Sequence, residues 1–131
     1  MLQSALYWFK DLHLPGRVDR MRFRFKNQPL IYGIRCRATG KMYIGHTFVP
    51  QDRFYKHLIA HDYERSSPDL QDDIKKYSMK SLTVHIFELV QFPPHMHPSD
   101  YLSHITEIEQ SYIDQWPSRK RYNVKNSYVE R

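Results

Sequence analysis

The sequence is nearly without cysteine. Cys36 is the only one in 131 residues. Its solitude excludes an internal disulfide and any zinc site built on cysteines. It also points to a reducing, intracellular setting, whether organellar, viral or cytoplasmic. Cys36 falls in a β-rich run and reads as a small buried residue rather than a nucleophile. No apolar run approaches the roughly 18 to 20 residues of a membrane span, so no membrane partner is expected. The opening MLQSALYWFK lacks the basic start and long apolar stretch of a secretory signal. Repeats, low-complexity tracts and an interdomain linker are also missing, and the length suits about one domain.

Cationic charge and aromatic rings are present in excess. Lys and Arg number 20 against 14 Asp and Glu, giving a formal net charge of +6 and a pI near 9.5. Such a balance favours a polyanionic partner, and nucleic acid is the one expected. Aromatic residues make up 15% of the chain, with 10 Tyr. That excess favours a recognition surface, although many rings must fill the core.

Local patterns divide the chain. Leu2, Ala5, Leu6 and Phe9 follow helical spacing, and LPG at 14–16 then breaks it. MRFRFK alternates Met21, Phe23 and Phe25 with Arg22, Arg24 and Lys26, the period of an edge strand or extended arm. Strands are expected over 30–37 and 42–47, joined by a turn in which Gly40 tolerates positive φ. A helix follows Pro50, over 51–60. Ser67, Pro68 and Asp69 are the cap, first position and first-turn acid of another. SLTVHIFELV, 81–90, reads as a central strand. Ser99 opens a last helix over 100–116, and Pro117 closes it. The fold class expected is α+β: a small mixed or antiparallel three-stranded sheet flanked by helices, in the order β-β-α-α-β-α. A basic N-terminal extension, residues 1–28, precedes residues 29–131 as an arm, an extra strand or a dimer contact.

Several polar residues sit at positions of chemical interest. On the last helix, Leu102, Ile105, Ile108, Tyr112, Ile113 and Trp116 form the apolar face. Glu109 lies four residues from both Ile105 and Ile113, so it points with that face. A carboxylate there is costly unless paired or metal-bound, and its plainer reading is a buried salt bridge. Arg53, Lys56 and His57 share one helix face, whose plainer reading is a solvated basic surface. Tyr32 and Tyr43 fall on one face of the hairpin, where core packing is the plainer reading. Taken together, two phenols, a guanidinium, an imidazole and a carboxylate suit phosphodiester hydrolysis. His95, His97 and His104 raise a zinc reading, against the commoner case of solvated loop histidines.

The spacing of "LIY", ending at Tyr32, and "YIG", beginning at Tyr43, resembles the signature of the GIY-YIG endonucleases. GKMYIG is similar to the second strand of that family. DRFYKHL, 52–58, resembles its first helix, EIEQSYI, 107–113, its catalytic-glutamate helix, and YNV, 122–124, its closing motif. The likeness covers residues 30–124. It departs at Leu30, where the signature has glycine; that position opens a strand and carries no chemistry of its own.

The resemblance implies an active enzyme, a DNA endonuclease. Glu109 would be the single protein ligand of Mg²⁺, or of Mn²⁺, with water and phosphate oxygens completing the shell. Arg53 would hold the scissile phosphate. Tyr32 would activate water, helped by Lys41 and the metal because a free phenol ionises near pH 10. Tyr43 and His57 would assist, and His57 is a rival base. Asn123 would support Glu109 or a backbone turn, and Gly45 would keep the sheet surface clear for substrate. Arg22, Arg24, Lys26 and Lys56, with Arg17 and Arg20, are the expected DNA contacts. Family members usually add a DNA-binding module; here the sequence ends seven residues after YNV. Either the sequence is only the nuclease domain of something larger, or specificity is expected from the extension, a homodimer or a separate subunit. The rivals are a non-catalytic nucleic-acid-binding module and an RNase or structure-specific nuclease.

Overall fold

The computed structural model describes residues 5–123. One antiparallel sheet carries the fold. Its strands are β1 (Tyr7–Phe9), β2 (Leu30–Cys36), β3 (Met42–Thr47) and β4 (Leu82–Leu89), in the spatial order β1-β4-β2-β3. Helices α1 (Arg17–Arg24), α2 (Pro50–Leu58), α3 (Pro68–Tyr77) and α4 (Tyr101–Ile113) flank it. The α+β class and the six-element order over 30–113 match expectation, and β4 is interior. The sheet gains a fourth strand.

That strand comes from the stretch read as a helix. Tyr7 pairs with Ile86 and Phe9 with Val84 along the otherwise open edge of β4. The pairing partner is distant in sequence, and local helical spacing carries no information about it. MRFRFK is likewise helical rather than extended. Val18, Met21 and Phe25 are buried while Phe23 is 50% exposed. The helical repeat running back to Val18 overrides the short period-2 run. Gly16, at φ 75, starts α1 in a conformation that suits a residue without a Cβ.

Alternation along the strands builds two cores. Leu30, Tyr32, Ile34, Tyr43, Val84 and Ile86 face α1, α2 and α3, whose Met21, Phe54 and Leu70 complete that cluster. Ile31, Met42, Ile44 and Phe87 face α4 through Ile105, Tyr112 and Ile113. Residue 28 is therefore no boundary between cores, since Leu12, Val18, Met21 and Phe25 pack with the hairpin. A bulge interrupts the β2–β4 ladder between Ile31 and Tyr32. Beyond it Phe87 packs within the α4 cluster and Glu88 accepts from the Tyr112 hydroxyl at 2.8 Å. Bulges re-aim neighbouring side chains, and this one adjoins Tyr32. No described helix is long and apolar enough to cross a membrane.

Candidate active site

Tyr32 and Tyr43 do share a face. Tyr43 lies opposite Ile34, two residues from Tyr32, and the two rings are 6.3 Å apart. Helix α2 lies over them. Phe54 meets Tyr32 edge-on at 5.0 Å. His57 sits 5.2 Å from the Tyr43 ring, and its Nε2 is 2.7 Å from the Tyr32 hydroxyl. His57 is thus wholly buried, at 0% exposure, rather than on the basic surface expected from its spacing with Arg53 and Lys56. Helix geometry puts Phe54 and His57 one turn step apart, and the sheet claims both.

Arg53 is the cation of this cluster. Burial opposes its charge. The phenols of Tyr32 and Tyr43 outweigh that by charge attraction and hydrogen bonding, holding the guanidinium above its ordinary pKa. Its Nε and Nη2 are buried with no hydrogen-bond partner among the described residues. Buried polar groups are nearly always paired, so these two donors are left for an acceptor that the described residues do not supply. Lys41, expected to assist Tyr32, lies at the far end of the hairpin and has its ammonium 5.8 Å above the Tyr122 ring.

Glu109 is placed elsewhere. It is 0% exposed and its Oε1 is held by His46 Nδ1. His46 has the strand parity of Met42 and Ile44, which pack toward α4. The carboxylate therefore meets β3 from the face opposite Tyr43. The expected convergence is split: the phenols, Arg53 and His57 gather on one side of the edge strand, and the acid lies on the other. For Oε1 the plainer reading, a buried pairing, holds. Oε2 is buried with no partner among the described residues. One bare carboxylate oxygen fits a hard divalent ion that keeps most of its shell as water. Among the described residues, no three His, Cys, Asp or Glu side chains gather around a metal position. His97 Nδ1 faces the Ser99 hydroxyl at 2.8 Å, and His104 packs on Phe92 at 5.6 Å.

No family model, curated protein or solved structure matches this chain.

Of the two supports expected of Asn123, the structure shows the one to main chain, in a strand rather than a turn. Asn123 accepts from Ile44 N–H and donates to Ile44 C=O, both at 2.8 Å. It grips the main chain of β3 between Tyr43 and Gly45 and makes no described bond to Glu109. Its neighbour Val124 lies outside the described residues. A Cβ on Gly45 would stand 2.6 Å from the Tyr32 hydroxyl oxygen. Gly45 makes room for that phenol.

The expected DNA contacts divide. Arg22 is a clamp: it bonds Asp19 at 2.9 Å and the Gln51 carbonyl at 2.6 Å, and lies over the Phe23 and Tyr55 rings. Arg24 is exposed and stacks on Tyr7 at 4.8 Å. With Arg17, Arg20 and Phe9 it lines an open groove of about 380 Å³. Lys26 is exposed and Lys56 half-buried.

Sequence reasoning missed His46, Ser66 and Gln71. His46 was legible in principle, because strand parity turns it toward the helix that carries Glu109. Ser66 Oγ lies 2.6 Å from His57 Nδ1. Gln71, 2% exposed, donates to Ser66 Oγ and to the His57 carbonyl, both at 2.9 Å. Only the α2–α3 packing brings these together, so no local signal announced them.

Proposed function

We propose that this protein is a metal-dependent endonuclease of GIY-YIG type acting on DNA. The observation that carries the reading is the Arg53 guanidinium, held between two phenols with buried donors left unused. A phosphodiester, with two anionic acceptor oxygens, is the group such donors fit.

On this reading Arg53 donates to the non-bridging oxygens and stabilises the charge that grows there. Tyr32 gives its proton to His57 Nε2, and the phenolate then takes a proton from the attacking water. Tyr43 fixes the guanidinium from the other side. Glu109 Oε2 would hold Mg²⁺ or Mn²⁺, and such an ion would supply Lewis-acid polarisation to a phosphate that reached around the edge strand β3 from Arg53. Tyr32, His57 and Glu109 are each 0% exposed, so substrate reaches them only through a rearrangement on binding. Half-buried Arg53 and Lys56 make the first contact. Arg17, Arg20 and Arg24 lie along one face of α1 and add sequence-blind phosphate contacts. The bonded Arg22 does not.

One observation favours a second reading. The buried His46–Glu109 pairing, across β3 from the phenols, is what a non-catalytic nucleic-acid-binding module would keep.

A supercoiled-plasmid assay separates them. The nuclease reading expects nicking by wild type with Mg²⁺ or Mn²⁺, none in EDTA, and loss in Arg53→Ala and Glu109→Ala. Duplex binding without nicking under any of these conditions installs the second reading. Labelled RNA and flap substrates then rank the preferred strand.

A further inference from the structure

The phenol–imidazole contact has a built support on its far side. His57 is fixed at both ring nitrogens: Nε2 at 2.7 Å from the Tyr32 hydroxyl and Nδ1 at 2.6 Å from Ser66 Oγ. The histidine tautomer decides which way the phenol proton points. If Nδ1 carries the hydrogen, Nε2 is an acceptor and Tyr32 donates to it. If Nε2 carries it, Tyr32 oxygen receives a hydrogen bond and His57 has no basic nitrogen for it.

Gln71 fixes the oxygen that meets Nδ1. A main-chain carbonyl only accepts, so the Gln71 nitrogen, not its oxygen, must face the His57 carbonyl at 2.9 Å. The same nitrogen has its second hydrogen directed at Ser66 Oγ, also at 2.9 Å. The amide oxygen is turned to His61 Nδ1 at 2.9 Å, which fixes the amide from behind. Ser66 Oγ, engaged by Gln71 through one lone pair, can serve either tautomer, by receiving Nδ1–H or by giving its own hydrogen. The choice comes from Tyr32, whose oxygen accepts from the Arg53 guanidinium and whose hydrogen is then directed at Nε2, leaving Nδ1–H for Ser66. Ser66 then stands ready to share the positive charge when His57 takes the phenol proton. Helix α3 delivers the amide: its cap residue Ser67 accepts from Leu70 N–H at 3.2 Å, one residue before Gln71.

We propose that Ser66 and Gln71 are positioning residues that hold His57 in the Nδ1–H tautomer, so that Nε2 accepts the Tyr32 proton. The role in water activation rests on the endonuclease reading, whereas the tautomer itself does not. In the step, the Tyr32 O–H bond breaks and the Nε2–H bond forms. Phenolate and imidazolium result, with Nδ1–H still donated to Ser66 and no other reactant needed.

The test is long-range ¹H–¹⁵N correlation on the imidazole of His57, in the full chain without substrate. Wild type is expected to show a protonated Nδ1 and a bare Nε2. Ser66→Ala and Gln71→Leu are expected to mix the tautomers, and Ser66→Thr to restore the wild-type pattern. Nicking in Ser66→Ala should lose about tenfold in kcat with KM unchanged, a loss worth about 1.4 kcal/mol. A protonated Nε2 in folded wild type overturns the proposal, and so does an unmoved tautomer in a folded Ser66→Ala. Because the spectrum needs no cleavage, the two readings fail separately. A held tautomer in a chain that never nicks sinks the nuclease alone; a reversed tautomer in a nicking chain sinks the positioning alone.

Discussion

The phenol of Tyr32 has almost no freedom, and its neighbours show why. Phe54, Tyr43 and His57 surround the ring, and the missing side chain of Gly45 accepts its hydroxyl. A methyl group there would stand 2.6 Å from the oxygen and 2.8 Å from Cζ. The ring is packed on its other sides and cannot yield cheaply. Gly45→Ala should therefore cost about 2 kcal/mol in urea unfolding, as overpacked cores do. It should also break the Tyr32–His57 contact, visible as a shifted His57 ¹⁵N resonance. Asn123 is as constrained, serving both polar groups of Ile44. Asn123→Asp keeps the acceptor but turns a carboxylate oxygen onto the Ile44 carbonyl. The expected loss is about 2 to 3 kcal/mol by denaturant titration; an unchanged midpoint would show that the grip on β3 is dispensable.

At the scale of elements, α2 and α3 form a pair in which one carries chemistry and the other fixes it. Helix α2 begins at Pro50, where a missing N–H costs nothing, and presents Arg53 and His57 one turn apart. Helix α3 is started by Ser67 and Pro68, with Asp69 in its first turn. Ser67→Ala should destabilise the chain by about 1 kcal/mol. Because Gln71 lies in that first turn, the same change should loosen the His57 network before global unfolding. Hydrogen exchange at residues 66–71 checks this, and protection equal to wild type would refute it. Helix α1 is held to α2 through Arg22 and the Gln51 carbonyl, so the basic extension is part of the scaffold rather than a loose arm.

For the molecule as a whole, two groups on the α4 face of the sheet set the pH limits of stability. On the α4 side His85 lies between Trp8 and Phe87. Burial, then the charge of Arg35, lowers its pKa to about 4 from 6.5. Between those values the unfolded chain binds a proton that the folded chain refuses, so stability must fall as pH drops through that window. Tyr112 is pushed up to about 12 from 10.0, by burial and by its bond to Glu88. There the folded chain keeps a proton that the unfolded chain loses, so stability falls again as pH rises from 10 to 12. Urea midpoints across pH should be highest between these limits. His85→Gln should flatten the acid limb and Tyr112→Phe the alkaline one; limbs unaltered by both changes would assign the loss to other groups.

The sequence alone determined what depends on short range. The hairpin and the same-face placement of Tyr32 and Tyr43 followed from strand period, α3 from Ser67 and Pro68, and the buried aim of Glu109 from helical spacing. Tertiary structure decided what depends on partners far along the chain. It made 7–9 a strand, because β4 had an open edge to fill, and 17–24 a helix, because Val18, Met21 and Phe25 could be buried together. It set Glu109 against His46 across β3, and put Ser66 and Gln71 behind His57. Periodicity fixes which way a side chain points from its own backbone, but the group it meets is chosen by elements that pack only once the whole chain has folded.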